Sequence, residues 1–118
     1  MYGIPADETF DFFEGRRLDA VTFGRYKMSL SFDEGVGLDV EGPLAVAAPG
    51  SDEHVADDAR SVAAPLLDLL SLTVTGVRVD APSSLALTFE NGTIVRAIDD
   101  LGPYECFDVH HGERIWIM

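Results

Sequence analysis

An α+β domain, mainly antiparallel sheet with one helix packed on it, is predicted by three features of the chain. A hairpin motif occurs twice, apolar residues alternate with period two around each copy, and one stretch between the copies has helical spacing. The two hairpins are Leu30-Ser31-Phe32-Asp33-Glu34-Gly35 and Leu87-Thr88-Phe89-Glu90-Asn91-Gly92, separated by 57 residues. In each, a three-residue connection ends in Gly, where a positive φ closes a hairpin through a bulge.

At that constant shift Met28, Leu30, Phe32, Val36, Leu38 and Val40 map onto Leu85, Leu87, Phe89, Thr93, Val95 and Ala97, so one face of each unit stays apolar. Allowing the shift to grow to 60 brings Gly42-Pro43-Leu44 onto Gly102-Pro103-Tyr104, each opening a further short run. Upstream, Leu18 to Phe23 and Val74 to Val79 supply a strand leading into each hairpin. The chain is therefore one domain, 1–118, with an internal repeat of units at about 16–48 and 72–118.

Between the units, Val55, Ala59, Val62, Leu66, Leu69 and Leu70 recur at spacings of three and four. Pro65 would break a helix running through it, so a helix of about 61–70 is expected, with Ser61 at its start and Pro65 in its first turn. That leaves 49–60 as an acidic loop, and 1–15 is read as a mobile N-terminal segment. The tail reads as a last hairpin, with His110-His111-Gly112 as its turn and Arg114 to Met118 as its second strand.

With 118 residues, 47% of them hydrophobic, the chain can fill one core without metals or disulfides. It has no apolar run of membrane-spanning length and no secretory leader pattern, and its single Cys106 cannot form an internal bridge, so a cytoplasmic location is expected. Eight basic against 21 acidic residues give a net charge of −13. Such a charge repels nucleic acid and anionic membranes and attracts a basic protein.

Chemistry is harder to find. Cys106, Asp108 and His110 would share one side of a strand, with His111 following, but paired ligands from a second place are missing, so no metal and no cofactor is expected. Asp99-Asp100 and Asp33-Glu34 are acid pairs in turns, where solvent keeps carboxylates ordinary. No nucleophile elbow or phosphate loop is present, and the domain reads as a non-enzyme. The residues that would meet a basic partner are Asp33, Glu34, Asp52, Glu53, Asp57, Asp58, Asp99 and Asp100, together with Trp116 as an aromatic anchor. Phe10 and Phe13 are either an edge cover for the sheet or a second anchor.

Val77, the run Leu85-x-Leu87-x-Phe89-Glu90-Asn91-Gly92, the later Tyr104-Glu105 and the closing hydrophobic strand together resemble a family of small uncharacterised, mainly actinobacterial proteins. In size and composition the chain looks like the immunity proteins that neutralise toxins. The resemblance implies inhibition of a basic toxin without assigning any site residue. The alternative is a small-molecule-binding or enzymatic domain with its pocket between the two repeats.

Overall fold

The computed structural model describes residues 3–102 and 104–118, and Pro103 of the second Gly-Pro pair lies outside them. The described residues form ten strands, β1 (Leu18–Phe23), β2 (Met28–Phe32), β3 (Val36–Val40), β4 (Leu44–Ala47), β5 (His54–Ala56), β6 (Val74–Asp80), β7 (Ser84–Phe89), β8 (Ile94–Ile98), β9 (Phe107–His111) and β10 (Arg114–Ile117), and one short α-helix, α1 (Ala63–Leu67). The strands form two five-stranded antiparallel sheets, ordered β1-β2-β3-β9-β10 and β5-β4-β8-β7-β6. This is the expected α+β architecture, dominated by antiparallel sheet.

The order of the strands shows how the repeat is used. Each unit contributes a three-stranded meander, β1-β2-β3 or β6-β7-β8, and then sends its last hairpin across to the other sheet. Thus β4-β5 pairs with β8, and β9-β10 pairs with β3. Register confirms the shift of 57: Met28 opposes Val40 as Leu85 opposes Ala97, and Leu30 opposes Leu38 as Leu87 opposes Val95. Even the irregularities recur, with a bulge between Leu18 and Ala20 and another between Val74 and Gly76. A bulge needs one extra residue at a defined place, so its recurrence favours duplication over generic hairpin chemistry.

The units meet where Arg17 bridges Thr73. Around that point the bonds occur in equivalent pairs: Leu18 N–H to Leu72 O (2.9 Å) matches Val74 N–H to Arg16 O (2.9 Å). The acid opening each hairpin turn locks the same junction, since Asp33 accepts the Arg17 N–H and Glu90 accepts the Thr73 N–H, each at 3.0 Å.

The alternation buries the expected side chains. Met28, Leu30, Phe32, Leu38, Val40, Leu66, Leu69, Leu85, Leu87, Phe89 and Val95 belong to one core cluster. Leu70 does not; it follows the end of α1 and is exposed. The helical region is also shorter than expected: Asp58, not Ser61, caps a 3-10 turn at Ala59–Val62, and α1 then runs only to Leu67. Pro65 does lie within its first turn.

Other expectations are corrected. The segment 49–60 is not all loop, because His54–Ala56 pairs with β4 as an edge strand. Over its described part the N-terminal segment is anchored, with Ile4, Phe10 and Phe13 fully buried and the Ile4 N–H bonded to Pro82 O at 3.0 Å. His110 and His111 lie in β9, and the turn falls on Gly112, whose φ of 63° suits glycine. The counterpart of Leu44 is Phe107 rather than Tyr104, since Leu44 opposes Ala97 as Phe107 opposes Val40. Among the described residues no helix is long and apolar enough to cross a membrane.

Candidate functional site

Because the two units share one frame, the sheet faces turned away from the shared core can be compared position by position, although Ala45 in the second sheet's row is itself buried. On the first sheet, one row across the strands is Thr22, Ser29, Asp39, Asp108 and Ile117, and the next is Ala20, Ser31, Gly37, His110 and Ile115. Arg78, Ala86, Arg96, Ala45 and Val55 form the row on the second sheet that corresponds to the first of these. There Arg96 faces Ala45 and is held by Glu53, whose Oε2 accepts its Nε–H at 2.9 Å. The duplicated core is preserved while the outer rows have diverged, and two acids face each other only on the first sheet's row.

Asp39 and Asp108 are half-buried and directly opposed on neighbouring strands, an arrangement that like charges disfavour. Asp39 has compensation: its Oδ2 is 3.0 Å from His110 Nε2 and 3.7 Å from Lys27 Nζ. Asp108 has none. Its Oδ1 is buried and has no hydrogen-bond partner among the described residues. Burial, followed by the charges of Glu105, Glu41 and Asp39, pushes its carboxyl up to about 6, with His110 pulling the other way.

Small residues open the surface beside this pair. Ser31 and Gly37 leave a shallow trough bounded by Asp39, His110 and Gly112, with a volume of about 390 Å³. A Cβ at Gly37 would find its nearest neighbour at 3.5 Å, so glycine is not required by packing there. Across the trough, Ile115 and Ile117 on edge strand β10 are 54% and 50% exposed. Acids, a floor of small side chains and exposed aliphatic residues therefore share one face.

Two groupings on this face have oxygens or nitrogens close enough to hold a cation, Asp39 with Asp108 and His110, and Glu41 with Glu105 and Asp108. In the first, the His110 and Lys27 contacts already occupy Asp39. Cys106, which the alternation placed beside Asp108 and His110, precedes β9, is buried, and turns toward Asp100 with Sγ 3.4 Å from its Oδ1. The fold thus turns Cys106 away from Asp108 and His110, with which the alternation had grouped it.

The residues assigned to a partner from sequence are scattered. Glu34, Asp52 and Asp57 are exposed and free of ion pairs among the described residues. Asp33 serves the junction with Arg17, Glu53 is held by Arg96, and Asp58 by Arg60. Those arginines hold both Glu53 and Asp58 below the usual carboxylate range. Asp100 is exposed and accepts the Gly102 N–H, whereas Asp99 is 2% exposed and is corrected from surface contact to buried group. Trp116 is half-buried, not a free anchor: Phe10 and Phe12 pack against it with centroids at 5.4 Å, and Arg114 covers its ring at 4.2 Å.

A cleft of about 220 Å³ lies between the β1-β2 turn and the β5 end, lined by Arg25, Tyr26, Lys27, Glu41, Asp57 and Asp58 among others. Its lining comes from the first unit and from Asp57, Asp58 and Ala59 of the segment that follows, with nothing from the second unit, so it is not a pocket between repeats, and it is smaller and more charged than most ligand pockets. Asp39, Glu41, Glu105 and Gly37 were missed in the sequence. Only the pairing of β3 with β9, two strands far apart in the chain, brings Gly37, Asp39 and Glu41 to the segment that holds Glu105 and Asp108.

A family model described as "Family of unknown function (DUF6188)" matches residues 11–102. The match takes in both meanders and stops before the β9-β10 hairpin that carries Asp108 and His110. No curated protein and no solved structure gives a match.

Proposed function

We propose, for a chain that belongs to the DUF6188 family of unknown function, that it is a non-catalytic binding domain which takes a basic protein partner on the outer face of the first sheet. The observation that carries this reading is the Asp39–Asp108 pair, with Asp108 Oδ1 buried and unbonded among the described residues. An Arg or Lys side chain from a partner would supply the missing donor and remove the like-charge penalty, a gain realised only in the complex. Ile115 and Ile117 add apolar area next to those charges.

In its most concrete form this is an immunity-type inhibitor of a basic toxin, acting in the cytoplasm. The net charge of −13 would speed encounter, and the unpaired acids Glu34, Asp52 and Asp57 would act mainly at that stage. Asp39 and Asp108 would govern dissociation. Two measurements test the proposal. A hexa-arginine peptide titrated into labelled protein should shift the resonances of Asp39, Asp108 and His110 first; shifts confined to Asp52 and Asp57 would mean generic acidity. Coexpression with a basic toxin domain encoded beside the gene should rescue growth, and Gly37→Val, which fills the trough, should abolish rescue. Rescue undiminished by Gly37→Val and by Asp108→Asn would remove the partner from this face.

A further inference from the structure

A second feature is built where the chain crosses between the sheets. From β3 to β4 it crosses in residues 41–43, whereas from β8 to β9 it takes residues 99–106. The longer crossover brings together groups that the shorter one lacks. One carboxylate oxygen of Asp99, one of Asp100 and Cys106 Sγ all lie within 4.8 Å of one another. Asp99 and Cys106 are 2% and 3% exposed, while Asp100 opens to solvent.

Asp99 is the telling member. Its Oδ1 accepts the Leu101 N–H at 2.7 Å, but Oδ2 is buried with no hydrogen-bond partner among the described residues. Neither Asp99 nor Asp100 belongs to an ion pair among those residues. A carboxylate taken out of water with one oxygen unmatched is costly, and a cation is the partner its chemistry calls for. Cys106 is firmly placed beside it. Its N–H donates to Met118 O at 2.6 Å, and its carbonyl accepts the Glu41 and Gly42 N–H groups at 2.7 and 2.8 Å.

We propose that Asp99, Asp100 and Cys106 form a binding site for a divalent cation of the zinc class, its fourth position open to solvent on the Asp100 side. The donor set selects the ion. A thiolate with two carboxylates suits zinc or cobalt, whereas magnesium and calcium demand oxygen throughout. On binding, the sulfur–metal bond forms and the thiol proton leaves to solvent. The ion would tie the crossover loop to the start of β9, the strand that carries Asp108 and His110.

The test is titration of chelator-stripped protein with cobalt(II), read by the thiolate-to-metal charge-transfer band in the near ultraviolet. Saturation at one equivalent, with displacement by zinc, is expected. Cys106→Ser should lose the band, and Asp99→Asn and Asp100→Asn should each weaken binding by about tenfold or more. Because Asp100 is exposed, Asp100→Asn keeps the fold and the test does not depend on a buried substitution. Asp108→Asn should leave the titration unchanged. The proposal is overturned by the absence of a saturable band, by unaltered affinity in Asp100→Asn, or by binding that survives Cys106→Ser and disappears in Asp108→Asn.

Discussion

Asp39 on β3 and Asp108 on β9 stand directly opposite each other on the outside of a sheet, and only Asp39 has a cationic neighbour in bonding range. An antiparallel pair with free choice of residues would place opposite charges there. Two acids at such a position weaken the sheet rather than support it.

The cost should be measurable. With its folded value raised to about 6, above that of an unfolded aspartate, Asp108 holds its proton in the folded chain through a window from about pH 4 to about pH 6. Ionised Asp108 therefore destabilises the fold above that window, and the penalty is relieved as pH falls through it. The full shift would be worth about 3 kcal/mol, and screening at a half-exposed position reduces it to about 1 kcal/mol. Asp108→Asn should thus be more stable than the parent at neutral pH by about 1 kcal/mol. Urea denaturation over a pH series checks this, and the difference should fade toward pH 4.

Phe32 and Phe89 occupy equivalent places in the two units, and their rings stack on each other at 6.3 Å. Replacement of either by Ala should cost about 3 to 5 kcal/mol, close to the whole stability of a small domain. Since the two share a contact, the double variant should lose less than the sum. Thermal melting is the measurement. A single variant that melts with the parent would mean that the shared core is wrongly assigned.

Asp33 and Glu90 each accept a backbone N–H from the other side of the junction, and this role predicts a graded response. Asp33→Ala should destabilise by about 1 kcal/mol through the orphaned Arg17 N–H. Asp33→Asn keeps an acceptor and should cost less. Equal losses would point to charge rather than the hydrogen bond.

Two glycines should behave oppositely. A Cβ at Gly42 would lie 2.9 Å from Cys106 Cβ, so Gly42→Ala forces the crossover apart and should cost about 1 to 3 kcal/mol. At Gly37 the nearest atom would be 3.5 Å away, and Gly37→Ala should be close to neutral. Denaturant midpoints of the pair decide whether close approach at the crossover is what constrains Gly42.

The meanders were legible in the sequence because their signals are local: alternation, a turn ending in Gly, and a repeat that keeps register over Met28 to Val40 and Leu85 to Ala97. The exchange of hairpins was not, because nothing in the run Phe107 to His111 names β3 as its neighbour. The shift of 60 aligned two Gly-Pro pairs and missed that Phe107, further along, is the counterpart of Leu44. For the same reason the turn acids were visible as groups, while Asp39 beside Asp108 was not. Charge in a loop can be read from one segment, whereas a cross-strand pair needs two.

The crossing of β4-β5 and β9-β10 has a consequence for ancestry and assembly. Neither unit completes its own sheet, so neither half is a minimal folding unit; each supplies the last two strands of the other. Two copies of one such unit could close the same arrangement by mutual exchange as a twofold pair, whereas here 57–71 joins the units and also adds Val62, Leu66 and Leu69 to the core. Joining the copies freed them to differ. In the joined chain Asp39 and Asp108 stand opposite each other on one sheet, while Arg96 and Ala45 hold the matching places on the other, so each arrangement is displayed once where a symmetric pair would display it twice.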